Sequence, residues 1–403
     1  MIALADAKAR IEALVEPLDT VELAAGDAIG LALADDVVAA ESVPPFANTA
    51  VDGYAVRAAE TTDVPAELRI VGELAAGAAA SVPVGVGEAI RIMTGAPMPD
   101  GADAVVMVED TRVGGEHVRI SRGAEPGDHV RAVGSDVAAG DLVFATGTVL
   151  GPMHLGVLAS LDVSTVSVRR RARVGVLSTG DELVERGPLA PGQIRDANRP
   201  MLLALVDAAG ATPVDFGIVS DDGNAVRTRF ADACASCDVV VASGGVSVGD
   251  YDHVKVVLAE LAPEHAYWWQ VAIKPAKPLA FAVVDGTPVL GLPGNPVSSF
   301  VSFELFARPT ILGRMGHARR NRPEVEAVAA MAMPRRPDGK LHLDRVVLSH
   351  DGDLLLATPV GAQASNVLSA TAGAHGLALV PDGHGVAAGD VVHVLRLDAA
   401  ADR

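Results

Sequence analysis

RVGVLST (173–179) opens a run of sequence in which strand-like and helix-like pieces alternate. The pieces that follow it are NRPMLLALVDAAG (198–210), TPVDFGIVS (212–220), DGNAVRTRFADACAS (222–236) and DVVVASG (238–244). Apolar residues fill the strand-like pieces almost without interruption, which is typical of strands buried on both faces. Their alternation with helices predicts a doubly wound parallel sheet over 171–320. Asn198 is the expected cap of the first helix, and Gly210 is its expected stop.

The sequence on either side of this α/β core has a different texture. Residues 44–134 contain short β-rich pieces separated by Gly, Pro and Asp turns, which predicts an inserted β-rich domain. Helical patterns flank the insert, so we expect 1–43 and 135–170 to join as one discontinuous linking domain. The β texture returns over 321–403 and predicts a C-terminal β-barrel domain. The fold class is therefore α/β multidomain.

The composition limits the partners and the compartment. The 403 residues include 51 acidic and 32 basic side chains, a net charge of −19, so nucleic acid is not an expected partner. No apolar run is long enough to span a bilayer, and charges interrupt the apolar residues at the start of the chain. We therefore expect neither a membrane segment nor a signal peptide. Two cysteines exclude a disulfide framework and favour a cytoplasmic protein.

The two cysteines, Cys234 and Cys237, form a C-x-x-C pattern. Such a pattern can serve redox chemistry or form half of a zinc site. Here it falls late in a predicted helix, whereas a thiolate is stabilised at a helix start. No second C-x-x-C follows it. We favour a structural role and leave a redox or metal role open.

Polar and glycine-rich loops follow the predicted strands. Ligands bind at the carboxyl ends of strands in an open parallel sheet, so these loops form the expected site. They are 178–182 with 196–198, 220–222, 243–252, 274–278 and 292–298. Glycines let the backbone approach a phosphate, and free N–H groups make an anion-binding nest. Because neither the dinucleotide fingerprint nor a P-loop occurs, the loops predict only a small, phosphate-bearing ligand.

Charged side chains in these loops indicate how a phosphate could be held. Glu182, Asp221 and Asp252 would repel a phosphate unless a hard cation lay between them, which predicts Mg²⁺. For any single aspartate the alternative is a helix cap or a turn. Lys274 and Lys277 are spaced by prolines beside a strand end. We expect this pair to hold an oxyanion rather than to be merely solvated.

Six motifs resemble those of the molybdopterin molybdenumtransferase family, which includes the E domain of gephyrin. They are DGYAVR (52–57), RIMTGAP (91–97), STGDEL (178–183), SGGVSVG (243–249), KPAKP (274–278) and LPGNPVS (292–298), in the family's order. The resemblance implies an elongated homodimer of four-domain chains. It also implies an enzyme that takes adenylylated molybdopterin and molybdate and releases AMP and molybdenum cofactor in the presence of Mg²⁺. The molybdopterin adenylyltransferase is a further partner that it suggests.

The same resemblance implies roles for individual residues. The catalytic set is Asp52 and Thr94, offered by the partner chain across an inter-subunit cleft, with Glu182, Asp221, Asp252, Lys274 and Lys277. Glu182, Asp221 and Asp252 are the implied Mg²⁺ ligands, and the molybdate side consists of the two lysines with Ser298, Arg345 and Ser365. The other substrate-binding positions are Asp136, Thr179, Gly180, Asn198, Ser243, Gly244, Gly245, Ser247, Gly249, Asp250, Pro293, Gly294, Asn295 and Pro296.

Two alternative functions remain. The molybdopterin adenylyltransferase shares the α/β core and the glycine loop, but it would need only the central domain. A non-catalytic scaffold or cofactor carrier would be expected to bring linkers or low-complexity segments, and the sequence has none. The inserted and C-terminal domains therefore favour the molybdenumtransferase.

Overall fold

The computed structural model describes residues 1–78, 82–245 and 253–397. It divides into two compact units. The first unit comprises Met1–Asp35, Thr146–Gly151 and Thr165–Arg403. The second comprises Asp36–Ala145 and Pro152–Ser164. No helix among the described residues is long and apolar enough to cross a membrane.

The first unit is built around a six-stranded sheet, here called the central sheet. In spatial order its strands are Thr212–Val219, Arg173–Thr179, Val239–Ser243, Thr287–Leu292, Pro278–Val284 and Ala266–Gln270. The first four run parallel, as the sequence predicts. The last two pair antiparallel, so the prediction of a wholly parallel sheet is wrong at this edge.

A two-residue turn explains the antiparallel edge. Asp285 and Gly286 connect the fourth and fifth strands, with φ of 47° and 82°. A parallel connection needs a crossover of about a dozen residues, whereas an Asp-Gly pair is the signature of a tight hairpin. The Asp-Gly pair is visible in the sequence, but the strand–helix alternation alone does not predict the hairpin.

Helices cover both faces of the central sheet, which confirms the doubly wound fold. Helices Asn198–Ala208 and Leu4–Glu12 pack on the face that carries Val174 and Val176. On the same face lies a continuous helical segment formed by Pro296–Ser302, Phe303–Ala307 and Arg308–Arg314. Helices Gly223–Ser236 and His253–Leu261 cover the opposite face around Leu177 and Val240.

The first helix of the central domain starts differently from the prediction. It begins at Asn198, so the N-cap residue is Ala197, whose side chain cannot accept a hydrogen bond from the first turn. Asp196 takes that role instead, because its Oδ1 accepts the backbone N–H of Arg199 at 3.1 Å. Gly210, with φ of 83°, follows the end of the helix as predicted.

A closed five-stranded barrel ends the first unit, as predicted. Its strands are Leu341–Asp351, Leu354–Pro359, Glu324–Ala329, Val391–Arg396 and Gly376–Val380, and the last pairs back to the first. The strand Ile273–Lys274 adds in parallel to Leu341–Asp351. Three two-stranded pairs complete the unit: Thr20–Ala24 with Thr165–Arg169, Leu183–Val184 with Ile194–Arg195, and Met333–Pro334 with Gly385–Val386.

The second unit is β-rich, as predicted. Its six-stranded sheet has the order Ala104–Met107, Gly53–Val56, Glu88–Ile92, Ala66–Leu74, His117–Ile120 and Thr111–Gly114. Two short pairs, Asn48–Thr49 with Val130–Arg131 and Val37–Val38 with Leu142–Phe144, and the helix Pro152–Ser160 complete it. The sheet packs on both faces, around Tyr54 and Val106 on one and around Ala55 and Ile92 on the other.

His317, just beyond the helix Arg308–Arg314, predicts how stability depends on pH. Burial, with Arg308 and Arg320 contributing, lowers its pKa from 6.5 to about 4. Between these values the unfolded chain binds a proton that the folded chain does not. The free energy of unfolding therefore decreases as the pH is lowered from 6.5 towards 4, by at most about 3 kcal/mol. We expect His317→Gln to flatten the fall in the thermal unfolding midpoint between about pH 7 and pH 4.5. Equal pH profiles for both chains would contradict the assignment.

Candidate functional site

The loops at the carboxyl ends of the parallel strands are tied together by Asn198. Its Nδ2 donates to Ser243 Oγ and to the carbonyl oxygen of Gly294, both at 2.7 Å. The backbone N–H of Gly244 donates to Leu292 O at 3.1 Å. The structure therefore joins four predicted site residues, Asn198, Ser243, Gly244 and Gly294, at one edge of the central sheet.

Two glycines of this edge, Gly244 and Gly245, leave no room for a side chain. Gly244 has φ of 98°, and a Cβ there would lie 2.6 Å from Thr179 O and 2.9 Å from Thr179 Oγ1. Gly245 has φ of 65°, and its Cβ would collide with the Val254 side chain. Gly244 thus packs closely on the end of the strand Arg173–Thr179, and Gly245 packs on the helix His253–Leu261, and both contacts favour glycine.

Two buried polar atoms at this edge have no hydrogen-bond partner among the described residues. They are Thr179 Oγ1 and Asn198 Oδ1, in residues that are only 5% and 8% exposed. Buried polar groups are normally satisfied, so such atoms are candidates for contact with a ligand or water. A polar ligand at the strand ends would fit them.

Two of the three predicted Mg²⁺ ligands, Glu182 and Asp221, follow the ends of two adjacent strands. Glu182 follows Arg173–Thr179, and its carboxylate lies so close to the Gly180 Cα that a Cβ on residue 180 would collide with it. Asp221 follows Thr212–Val219 and exchanges bonds with Asp181, whose Oδ1 accepts the Asp221 N–H at 3.1 Å. Asp222 caps the next helix through the N–H groups of residues 224 and 225, which confirms the capping alternative for that aspartate.

Part of the predicted loop lies outside the described residues. This applies to Ser247, Gly249, Asp250 and Asp252. Among the residues that are described, no group of three or more His, Cys, Asp or Glu side chains is close enough to hold a metal ion. Glu182 and Asp221 still provide the kind of donor that Mg²⁺ uses, which is one or two carboxylates supplemented by substrate phosphates.

Lys274 and Lys277 are exposed at the start of the fifth strand of the central sheet. The Lys274–Pro275 peptide bond is cis, and Ala276 has φ of 77°. The backbone N–H of Val271 donates to Lys277 O at 2.7 Å. This turn presents both ammonium groups to solvent, where they are available to an anion.

Arg345 is fully buried in the strand Leu341–Asp351. Its Nη2 donates to the carbonyl oxygens of Ala362 and Ala364, whereas no described residue accepts from its Nε or Nη1. Burial lowers the pKa of the guanidinium, and the charge of Asp344 partly offsets this effect. A buried cation that no described carboxylate pairs with is well suited to receiving an anion.

Ser365 connects the loop around Arg345 to the predicted loop 292–298. Asn295 Nδ2 donates to Ser365 Oγ at 3.4 Å, and the Val297 N–H donates to Ser365 O at 3.2 Å. Pro293 and Ser298 are buried on either side of this contact, and Pro296 begins the helix. The structure therefore brings together Arg345, Ser365 and Asn295.

The sequence interpretation missed Gln363. Its Oε1 accepts the Arg345 N–H at 2.9 Å, and its Nε2 donates to Arg345 O and Val360 O, both at 3.1 Å. The Gln363 amide thus bonds the backbone N–H and carbonyl oxygen of Arg345 in the way that a neighbouring strand would. An isolated glutamine in a loop gives no local signal of such a contact.

In the second unit, Asp52 and Thr94 are in direct contact. Asp52 Oδ1 accepts both the N–H and the Oγ1 hydroxyl of Thr94 at 2.7 Å, and these bonds lower the pKa of Asp52. Gly53 begins the strand that follows Asp52, and a Cβ there would collide with Val106 O. Asp136 is exposed, and its N–H donates to Val43 O at 3.0 Å.

The two cysteines carry thiols that do not ionise easily. Burial raises the pKa of Cys234 to about 12, with Cys237 contributing, and burial also raises the pKa of Cys237. Both are free. Reactive cysteines have lowered pKa values, so these observations favour the structural role.

Taken as a whole, the structure is that of a multidomain α/β protein with glycine-rich loops and buried polar side chains at the strand ends of its central sheet. Comparison with known families makes this specific. Residues 2–161 match the MoeA N-terminal region (domain I and II), residues 175–313 a probable molybdopterin binding domain, and residues 327–397 the MoeA C-terminal region (domain IV). The chain belongs to the MoeA family of molybdopterin molybdenumtransferases.

Individual relatives agree with this assignment. The chain is 40% identical over 365 residues to "Molybdopterin molybdenumtransferase 2" of Mycobacterium tuberculosis (strain ATCC 25618 / H37Rv), covering 88% of this chain and 89% of that protein. It is 36% identical over 376 residues to the molybdopterin molybdenumtransferase of Haemophilus influenzae, covering 92% of each. The crystal structure of the molybdopterin biosynthesis moeA protein from Pyrococcus horikoshii OT3 superposes with a TM-score of 0.84 at 27% identity, over 98% of this chain and 99% of that one.

Proposed function

We propose that this chain is a molybdopterin molybdenumtransferase, which transfers molybdenum from molybdate to adenylylated molybdopterin and releases AMP. The names of its relatives support the activity. The observation that carries the proposal within this chain is the buried Arg345. Its guanidinium lies beside the loop of Ser365, which is hydrogen-bonded to Asn295, and two of its nitrogens have no partner among the described residues. These two nitrogens are proposed to meet an oxyanion.

We assign the pterin and nucleotide side of the substrate to the strand-end loops. Thr179 and Asn198 offer buried polar atoms that have no partner among the described residues, and Gly244 and Gly245 have no side chain to hinder close approach of the substrate to the backbone. The remaining residues proposed for this side are Asp136, Gly180, Ser243, Ser247, Gly249, Asp250, Pro293, Gly294 and Pro296.

We assign the molybdate side to Lys274, Lys277, Ser298, Arg345 and Ser365. Cations and hydroxyl groups stabilise an oxyanion and orient it, without any need for a protein nucleophile. The sulfur atoms that receive molybdenum belong to the substrate. The raised pKa values of Cys234 and Cys237 are consistent with this division of roles.

Glu182 and Asp221, with Asp252, are the residues we propose to hold Mg²⁺. When bound, the ion supplies positive charge against the phosphoanhydride as AMP leaves. The two lysines orient the incoming oxyanion, while Asp52 and Thr94, joined by two short hydrogen bonds, would act from a partner chain.

The proposal includes four further features that rest on the family resemblance and the sequence. The chain forms a homodimer with an inter-subunit active site, and it receives its substrate from the molybdopterin adenylyltransferase. Its four domains are 1–43 with 135–170, 44–134, 171–320 and 321–403. It works in the cytoplasm, where its two free cysteines stay reduced.

The direct test is to incubate the purified chain with adenylylated molybdopterin, Mg²⁺ and molybdate, and to measure AMP and metal-loaded cofactor. AMP release that depends on both molybdate and Mg²⁺ is expected. A parallel incubation with ATP and molybdopterin tests the adenylyltransferase alternative, and robust adenylylation there, with no AMP release in the first incubation, would overturn the proposal.

A further inference from the structure

Arg199 lies in the first turn of the helix Asn198–Ala208, with its side chain 6% exposed. It contacts three carboxylates that come from separate segments. Its Nε donates to Asp196 Oδ2 at 3.1 Å, its Nη1 pairs with Asp215, and its Nη2 lies 3.3 Å from Glu185 Oε2. Each of the three guanidinium nitrogens therefore faces an acid.

Through Asp196, Arg199 acts on the strand-end edge. The Asp196 side chain is 1% exposed, and its Oδ1 accepts both the Ser178 hydroxyl and the Arg199 N–H at 3.1 Å. Ser178 precedes Thr179 at the end of its strand. Asn198, the neighbour of Arg199, holds the loops of Ser243 and Gly294.

Through Glu185, Arg199 acts on the segment 181–195, which carries Glu182. The two ends of this segment pair in parallel, Leu183–Val184 with Ile194–Arg195. The Ile194 N–H also donates to Glu182 O at 2.8 Å. Glu185 lies just beyond this pairing, so its ion pair with Arg199 fastens the segment to the helix. Burying the charges of Arg199 and Asp196 costs desolvation free energy. This cost favours a role of the pair in fixing the local geometry over a role in stability alone.

We propose that Arg199 is a positioning residue of the active site, which sets the place of Glu182 through Glu185 and that of Asn198 through Asp196. This inference rests on the proposed function for what the site does. The anchoring of segment 181–195 is a property of the chain itself and can be measured without any substrate.

The experiment uses the full chain with Glu185→Gln, Arg199→Lys and the control Glu12→Gln. Glu185 and Glu12 are matched, because each pairs with an arginine and their side chains are 62% and 65% exposed. Neither glutamine variant should move the thermal midpoint by more than about 2 °C, since surface substitutions change stability little. If Arg199→Lys fails to fold, Glu185→Gln alone carries the test.

Two measurements decide the outcome. Hydrogen exchange of peptides covering 181–195 should become faster by at least about threefold in Glu185→Gln and Arg199→Lys, and stay unchanged in Glu12→Gln. The Mg²⁺ concentration for half-maximal AMP release should rise by about three- to tenfold in Glu185→Gln, with the rate recovered at high Mg²⁺. A merely structural role would not produce this recovery.

Unchanged exchange in 181–195 would overturn the proposal, and so would faster exchange with an unchanged Mg²⁺ requirement. If the wild-type chain releases no AMP, the proposed function fails. The exchange measurement then still decides whether Arg199 anchors the segment.

Discussion

Gly244→Ala is expected to lower kcat/KM for adenylylated molybdopterin by about 100-fold or more while the chain stays folded. A Cβ at residue 244 would lie 2.6 Å from the carbonyl oxygen of Thr179, so the loop must move away from the first strand end. That movement also pulls the Gly244 N–H from Leu292 O. Displacing binding groups by about 1 Å commonly costs about 100-fold in rate.

Gly286→Ala is the matched control for this variant. Gly286 has φ of 82°, close to the 98° of Gly244, but no atom lies within 4 Å of its added Cβ. Both variants carry the strain of an alanine in the left-handed region, about 1–2 kcal/mol. Thermal unfolding should show that both variants are destabilised, and Gly244→Ala more so because of its clash with Thr179 O. Steady-state AMP release should be lost in Gly244→Ala alone. Equal activity in the two variants would show that close packing at Thr179 does not shape the site.

The central domain was predictable because its signals are local. Unbroken apolar strands alternating with helical patterns gave the four parallel strands and their helices, and the turn glycines marked the ends. The same locality explains the errors. Within its own segment Asn198 resembles a helix cap. Its amide nevertheless donates to Ser243 and Gly294, which lie 45 and 96 positions further along the chain. No local pattern predicts such a contact.

The site could be predicted only as far as motifs identify it. The motif residues Asp52 and Thr94 do meet, and so do Asn198, Ser243 and Gly294. Gln363 and Arg199 were missed because their importance lies in contacts with distant backbone or acids. Only the Asp196–Arg199 spacing, three residues apart at a helix start, could have indicated a pair.

The barrel offers two buried arginines whose partners differ, and this difference supports a further prediction. Arg335, 3% exposed, pairs with Asp338 at 2.6 Å and with Asp382 at 2.9 Å. The fully buried Arg345 side chain donates to carbonyl oxygens, and two of its nitrogens have no partner in the part of the chain that the structure describes. A paired arginine stabilises its surroundings, whereas an unpaired buried charge costs free energy that a bound anion could recover.

We therefore expect Arg345→Met and Arg335→Met to have opposite effects. Arg335→Met takes one cationic partner from Asp382 and from Asp338, although Asp338 keeps Lys340 and His342. It also removes the donor to the carbonyl oxygens of Lys340, Val380 and Pro381, so its thermal midpoint should fall, with molybdate use unchanged. Arg345→Met removes a desolvated cation, so its thermal midpoint should stay level or rise. Its molybdate KM, however, should rise by about 100-fold or more.

Molybdate itself provides a readout that does not depend on AMP release. A ligand that binds only the folded state raises the thermal midpoint, by about 2.7 kcal/mol of stability at 100 times its Kd. Added molybdate should therefore stabilise the wild-type chain and Arg335→Met, and should not stabilise Arg345→Met. Sulfate at equal ionic strength controls for general salt effects. Loss of stability in Arg345→Met together with retained molybdate protection would mean that Arg345 supports the barrel rather than the oxyanion. Retained stability in Arg345→Met together with loss of molybdate protection would show that the buried charge of Arg345 lowers the free energy of unfolding and contributes to binding of the oxyanion.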